Sequence, residues 1–241
     1  MIMKYIPILM YHNIGAPPDN ARLPSLYVST GAFGRQMWLL KLLGYKGLSM
    51  TEAMPYIRGE KTGKVAAITF DDGYLDALEH ALPVLNTFGF TATCYVVSGH
   101  LGGTNVWDAV ELNVHKPLMS AKQIEAWQAA GMEVGAHSCT HPRLTKCKDD
   151  DLQTELAGCK AELEVLTGTP VTQFCYPYGD VDARVAEAAL KAGYIAATTT
   201  QRGRVTPRDP PMMLKRVLIS GSNMMYLFLI KLLTRYEDKR G

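Results

Sequence analysis

The chain of 241 residues has little cysteine: five (Cys94, Cys139, Cys147, Cys159 and Cys175), an odd number with no C-x-x-C pair. That excludes a disulfide-framed scaffold and a dithiol redox motif, and it fits reduced thiols, so a cytoplasmic location is the expectation. Charge of one sign is also lacking. Lys and Arg number 25 against 23 Asp and Glu, a net charge of +2, which supplies no basic field for a nucleic-acid backbone. The longest apolar run, Met224 to Ile230 with Leu232 and Leu233 beyond Lys231, falls far short of the roughly 20 residues of a membrane span. Lys4 precedes a run from Tyr5 to Tyr11, but Pro7 interrupts it and no small-x-small site follows; it reads as a strand rather than a signal peptide. Neither G-x-G-x-x-G nor a Walker A pattern occurs, which removes the main support for a dinucleotide or phosphate-loop protein.

What is present is apolar material, 47% of residues, enough for one sizeable core. β-Branched and aromatic runs recur at Ile6–Tyr11, Lys46–Met50, Val65–Phe70, Thr91–Val97, Met132–Ala136, Val171–Tyr176, Ile195–Thr199 and Arg216–Ile219, predicting about eight short strands. Helical spacing separates them: Phe33, Met37, Leu40 and Leu43; Leu75, Leu78, Leu82 and Leu85; Ile124 and Trp127; Leu152, Leu156, Leu163 and Leu166; Val185, Ala189 and Leu190. Several helices stop at Gly followed by an apolar residue (Gly44, Gly89, Gly131, Gly193), a left-handed cap leading into the next strand. Alternating strands and helices imply an α/β fold, and length with strand count favours a (β/α) barrel over an open sheet. No domain boundary is visible, so residues 1–241 are expected to form one domain, with 222–241 a terminal helix packed on or extending from the barrel.

In such a barrel, reactive residues project from the C-terminal ends of strands. Three ends stand out. Asp71 and Asp72 follow the strand ending at Phe70; their side chains should point to opposite sides, although an Asp-Gly turn or a helix cap explains them equally well. His137 and His141 follow the strand ending at Ala136, and a spacing of four on one helical turn lets both reach one metal ion. With a carboxylate from another strand they make a two-His, one-Asp set that leaves positions open for water and substrate. Tyr176-Pro177-Tyr178-Gly179 follows the third strand; such a turn can aim a backbone N–H at the barrel mouth, or simply pack.

These residues together resemble the polysaccharide deacetylase family, the NodB-homology carbohydrate esterases, over almost the whole chain. The matching motifs are Thr69-Phe70-Asp71-Asp72-Gly73, His137-Ser138-Cys139-Thr140-His141 and Tyr176-Pro177-Tyr178-Gly179, with Leu9-Met10-Tyr11-His12 and Gly193-Tyr194-Ile195-Ala196-Ala197 also similar. The resemblance implies a distorted (β/α) barrel, usually of seven strands, that removes acetyl groups from N-acetylated sugars with a divalent metal, zinc being the first choice. It implies Asp72, His137 and His141 as metal ligands, Asp71 as general base, and the backbone N–H of Tyr178 as a hydrogen-bond donor to the substrate carbonyl.

Two departures matter. The Arg that many members carry two residues before the third-motif Pro, partnering the catalytic Asp, is Cys175 here; Arg216, at the start of the last strand, is expected to replace it. The late Leu-x-His motif, whose His acts as general acid, aligns with Leu218-Ile219-Ser220; His12, at the end of strand one beside the last strand in a closed barrel, is the candidate substitute. Trp107 and Asp108 sit on a loop where an aromatic could stack on a sugar, packing being at least as common. Lys231, Arg235, Lys239 and Arg240 would allow the terminal helix a peripheral membrane contact, with packing favoured. The expected activity is deacetylation of N-acetylhexosamine, N-acetylglucosamine first, in a polymer or lipid-linked saccharide. The alternatives are a metal-dependent amidase on a small amide and a non-catalytic carbohydrate-binding protein on the same fold.

Overall fold

A computed structural model describes residues 5–221 and 225–240. Among them, eight parallel strands form one sheet: β1 (Ile8–Tyr11), β2 (Lys46–Leu48), β3 (Val65–Phe70), β4 (Thr93–Val96), β5 (Glu133–Ala136), β6 (Gln173–Cys175), β7 (Ala196–Arg202) and β8 (Leu214–Leu218). Neighbours run β1-β8-β7-β6-β5-β4-β3, and β3 returns to β1 with Ile8 opposite Ala67 and Tyr11 opposite Phe70. Seven strands therefore close the ring. β2 lies along the first half of β3 (Lys46 opposite Val65, Leu48 opposite Ala67), while β4 pairs with its second half (Thr69 opposite Thr93). This is the (β/α) barrel that alternation and strand count favoured, in the distorted seven-strand form that the family resemblance implied.

Strand ends differ from the expected runs for local reasons. Pro7 has no N–H for a ladder, so β1 starts at Ile8, and Ile6 instead exchanges two hydrogen bonds with Val205 (2.8 and 2.9 Å). β8 starts at Leu214, two residues before Arg216, which places that side chain mid-strand.

The helices begin at polar caps. Ser29 accepts from Ala32 N at the head of Thr30–Leu42, a Ser49–Glu52 capping box opens Met50–Ile57, and Asp182 accepts from Val185 N at the head of Ala183–Lys191. Gly44, Gly89, Gly131 and Gly193 all take positive φ, as their positions after helices predict. Phe33, Met37, Leu40, Leu85, Trp127, Leu163 and Val185 bury the helical faces against the outside of the barrel, at about 1.5–3 kcal/mol for each large side chain. Leu190, expected on that face, is 58% exposed.

Alternation along the strands sends a second set inward. Ile8, Ala67, Tyr95, Cys175, Ala196 and Leu214 pack inside the barrel, and the inward positions become polar beyond that plug, where Asp71, His137 and Arg216 lie buried.

The terminal helix spans Met225–Leu233 and lays Phe228 and Leu232 into the core beside Thr30–Leu42. Met224 and Ser222, assigned to this segment from sequence, lie outside the described residues, as does Lys4. Lys231 is not on an outward basic stripe. It is 3% exposed, donates to Leu218 O (2.5 Å) and pairs at 3.2 Å with Glu237, itself held by Arg202 through two bonds of 2.6 and 2.7 Å. A charge this deep requires such partners.

Candidate active site

A cavity of about 220 Å³ opens at the C-terminal ends of the strands, lined by His12, Asp71, Asp72, His137, His141, Tyr178 and surrounding residues. The three strand ends singled out in the sequence thus converge on one space, and His12 joins them.

Asp71 continues β3 with its N–H donated to Tyr11 O (3.0 Å), and its carboxylate turns into the barrel toward β8. Arg216 meets it with a fork: Nη1 donates to Oδ1 at 2.6 Å and Nη2 to Oδ2 at 2.7 Å. The other donors are also used. Nε reaches Thr199 O (2.9 Å), Nη1 also reaches Thr69 Oγ1 (3.2 Å), and Nη2 also reaches Cys175 Sγ (3.2 Å). A guanidinium has five N–H donors, and this one, fully buried, has five acceptors. Burial acts to raise the Asp71 carboxyl, but Arg216 first, and then His12 and His137, offset it and hold the group below the usual carboxylate range. The cation expected from Arg216 therefore stands beside Asp71, with Cys175 against it.

Asp72 turns the other way because its backbone does: φ is 73°, followed by Gly73 at 76°. Its Oδ1 lies 3.4 Å from Nε2 of both His137 and His141. Burial raises the Asp72 carboxyl, and the two imidazoles overcome this to hold it well below its ordinary value. His137 Nδ1 lies 2.6 Å from Cys175 O. A carbonyl only accepts, so Nδ1 carries a proton, which leaves Nε2, the nitrogen facing Asp72, as the one that can bind a cation.

The histidine spacing works differently from the helical turn proposed for it. Residues 137–141 form an irregular loop in which Ser138 (φ 67°) and His141 (φ 62°) are left-handed. Tyr178 shares that conformation (φ 59°), so four of the five non-Gly residues with positive φ among those described lie in this site. Strained backbone of this kind persists only where surroundings enforce it.

Aromatic rings hold His141. Trp107 stacks on it (4.7 Å, 23°) and Tyr178 meets it edge-on (4.6 Å, 72°), with Arg143 over the other ring at 4.5 Å. Trp107 therefore packs against the site. The Tyr178 turn is closed by the N–H groups of Gly179 and Asp180, to Tyr176 O and Pro177 O. His12 Nε2 is 3.8 Å from Asp71 Oδ2, with its side chain 20% exposed. Asp108, left unassigned by sequence, lines the same cavity; burial and then the Asp72 charge push it up to about 6.

The family model described as "Polysaccharide deacetylase" matches residues 58–197, including all three strand ends. The chain belongs to the polysaccharide deacetylase family. As a member, the deacetylase is an enzyme acting on the N-acetyl amide bonds of polysaccharides. It is 29% identical to YxkH of Bacillus subtilis (strain 168), named as a polysaccharide deacetylase, over 89% of this chain and 71% of that one. It is 24% identical to a poly-β-1,6-N-acetyl-D-glucosamine N-deacetylase of Staphylococcus aureus, over 83% and 70%. Its fold superimposes on the Streptococcus pyogenes deacetylase PplD, solved in complex with acetate, with TM-score 0.82 and 26% identity over 95% of this chain and 98% of that one. His12 and Arg216 lie outside the matched span, so in this deacetylase their positions rest on geometry alone.

The donor set fits a divalent cation. Asp72, His137 and His141 bring one carboxylate oxygen and two imidazole nitrogens within 4.8 Å of one another, a hard-to-borderline set suited to zinc. Asp71, His137 and Cys175 are equally close, but both Asp71 oxygens and the Cys175 sulfur already accept from Arg216. The first set is the one open to the cavity.

Proposed function

We propose that the deacetylase is metal-dependent, with zinc at Asp72, His137 and His141, and that it removes acetyl from N-acetylglucosamine units of a polymer or lipid-linked saccharide. The observation that carries this reading is the convergence of that ligand set with an ionised, Arg-held Asp71 in one cavity. The activity named for the Staphylococcus aureus relative supports the sugar. Zinc bound there supplies Lewis acidity, making the acetyl carbonyl more electrophilic and a water more acidic.

The chain's own groups would do the rest. Asp71 Oδ2, facing the cavity beside His12, takes the proton of the attacking water as general base. Arg216 keeps Asp71 ionised and fixes its plane, so the base enters each cycle deprotonated. The N–H of Tyr178, presented by a left-handed turn that spends its neighbours' N–H groups on itself, donates to the carbonyl oxygen as negative charge develops. His12 Nε2, 3.8 Å from Asp71, hands a proton to the leaving amine, the role left open by the absence of a late-motif His.

The test is acetate release by zinc-loaded protein from N-acetylglucosamine oligomers, a lipid-linked N-acetyl sugar and simple aryl amides, with Asp71→Asn as control. Release from a sugar that the variant abolishes supports the reading. Turnover of aryl amides alone would make the protein an amidase, and no acetate from any of them despite bound zinc would overturn it.

A further inference from the structure

The loop joining His137 to His141 has no ladder or helix to satisfy its backbone, and most of its polar groups are claimed from outside. Ser98 N and Gly99 N donate to the carbonyls of Ser138 (3.2 Å) and Cys139 (2.9 Å), and His141 N donates to Ser138 Oγ (2.9 Å). Three further donors of the loop converge on one carboxylate. Glu155 Oε2 accepts from Cys139 N (2.8 Å) and Thr140 N (2.9 Å), and Oε1 accepts from Thr140 Oγ1 (2.5 Å). Glu155 is 8% exposed and sits in a π-helical turn, Thr154–Gly158, between the α-helical stretches Asp149–Gln153 and Cys159–Thr167. Such a turn inserts an extra residue and re-aims the side chains it carries, which is why π-bulges collect at functional sites.

We infer that Glu155 is a positioning residue for the metal centre: it sets the left-handed path of residues 138–141, and through it the separation of the two imidazoles. This rests on the ligand set proposed above. A carboxylate is acceptor-only, and this one meets three donors, all from the loop between the two histidines, so its placement matches that loop. The relationship parallels the outer carboxylates that orient metal-binding histidines directly, except that it acts on the backbone between the ligands.

The experiment is a zinc titration of metal-free protein against a competing chromogenic chelator, paired with amide hydrogen exchange at Cys139, Thr140 and His141. Glu155→Ala is expected to weaken zinc binding about 10- to 100-fold and to speed exchange at those three amides while the strands keep their protection. Glu155→Gln is expected to restore both, because its amide oxygen can serve the two N–H groups while its NH₂ donates to a reversed Thr140 hydroxyl. Should Glu155→Ala fail to fold, Thr140→Val, which removes one of the three bonds, is expected to weaken zinc binding relative to Thr140→Ser. Zinc affinity unchanged in folded Glu155→Ala, or equal in the two Thr140 variants, would overturn the role, even if exchange accelerates. Wild type binding zinc no better than His141→Ala would instead overturn the ligand set, and the role with it.

Discussion

Arg216 and Asp71 are joined by two hydrogen bonds of 2.6 and 2.7 Å across the barrel interior, from strands separated by 145 positions in sequence. The pair favours the carboxylate anion against burial, which acts to raise its pKa. Arg216→Lys keeps a charge but loses the fork, and a drop in turnover of roughly tenfold or more is expected, taking about 1.4 kcal/mol per tenfold. Losing the cation altogether raises the Asp71 pKa, so activity should disappear first on the acid side and the rising limb of the pH–rate profile should move to higher pH. The stability sign follows from the depressed folded value: the contribution is present above the unfolded carboxylate pKa of about 3.9 and fades as pH falls below it. Arg216→Leu is expected to destabilise by about 3–5 kcal/mol, and adding Cys175→Arg should recover part of both losses. A double variant no better than the single one, in thermal unfolding and in turnover, would show that a guanidinium cannot be supplied from β6.

Substitution at the ligand set should separate metal binding from folding. Asp72 adopts φ 73°, a conformation Asn tolerates well, so Asp72→Asn is expected to fold. One ligand and its charge are lost, and zinc affinity should fall by at least about 100-fold. Equilibrium dialysis of wild type and variant, with circular dichroism as the folding control, checks this. A wild-type affinity in Asp72→Asn would mean that the metal sits elsewhere.

Much of this centre was legible because its chemistry is local. Asp71 and Asp72 announce themselves by following a buried strand, and His137 and His141 by their spacing. Arg216 was reached through the family resemblance, which marks Cys175 as the place of a missing Arg that a last strand beside the first could replace. The path between the histidines was not legible: four-residue spacing reads as a helical turn, whereas two left-handed residues build the actual loop. Glu155 was invisible because its partners lie 15 and 16 residues earlier and its orientation depends on a π turn that no periodicity reports. Lys231 misled for the opposite reason. A lysine in an amphipathic terminal segment reads as solvent-facing, and only the fold brings Glu237 and Leu218 O around it.

His12 is the proton donor that leaving-group chemistry can test. His12→Gln keeps a polar side chain but cannot transfer a proton near neutral pH, and turnover of a sugar amide should fall about 10²–10⁴-fold. An aryl ester leaves as a weakly basic phenolate and needs no proton, so its hydrolysis should fall far less. Equal losses on the two substrates would assign His12 to structure instead.

Asp108 places a cost on folding at the cavity. Its pKa is raised to about 6 by burial and by Asp72, so the folded state binds its proton more tightly than the unfolded chain does. Stability from this group is then full below about 3.9 and is lost as pH rises through 6. Asp108→Asn can keep the acceptor for Asn105 Nδ2, now 2.7 Å away, while removing the charge. Because the residue is only partly buried, its gain at pH 7 should be on the order of 1 kcal/mol after solvent screening, or about 2–4 °C in Tm for a chain of this size. Thermal scans of metal-free protein at pH 5 and 7 check the sign: the variant's advantage should be larger at pH 7.

Gly179 ties the Tyr178 turn to β7 more tightly than its sequence neighbours reveal. It has φ 69°, and a Cβ there would fall 2.1 Å from Thr200 Oγ1 and 2.7 Å from Thr200 N, whereas a Cβ at Gly44, also left-handed at 77°, meets nothing within 4 Å. Gly44→Ala should therefore cost only the backbone strain of about 1–2 kcal/mol, and Gly179→Ala a further 1–3 kcal/mol of overlap. Chemical denaturation of the two variants isolates the second term. Thr200→Ala should relieve Gly179→Ala only in part, because the backbone nitrogen stays while the hydroxyl leaves. Deacetylation should fall further than the lost stability explains, since any movement that relieves the overlap carries Tyr178 N–H away from the carbonyl it serves; full specific activity in the folded variant would remove that N–H from the mechanism.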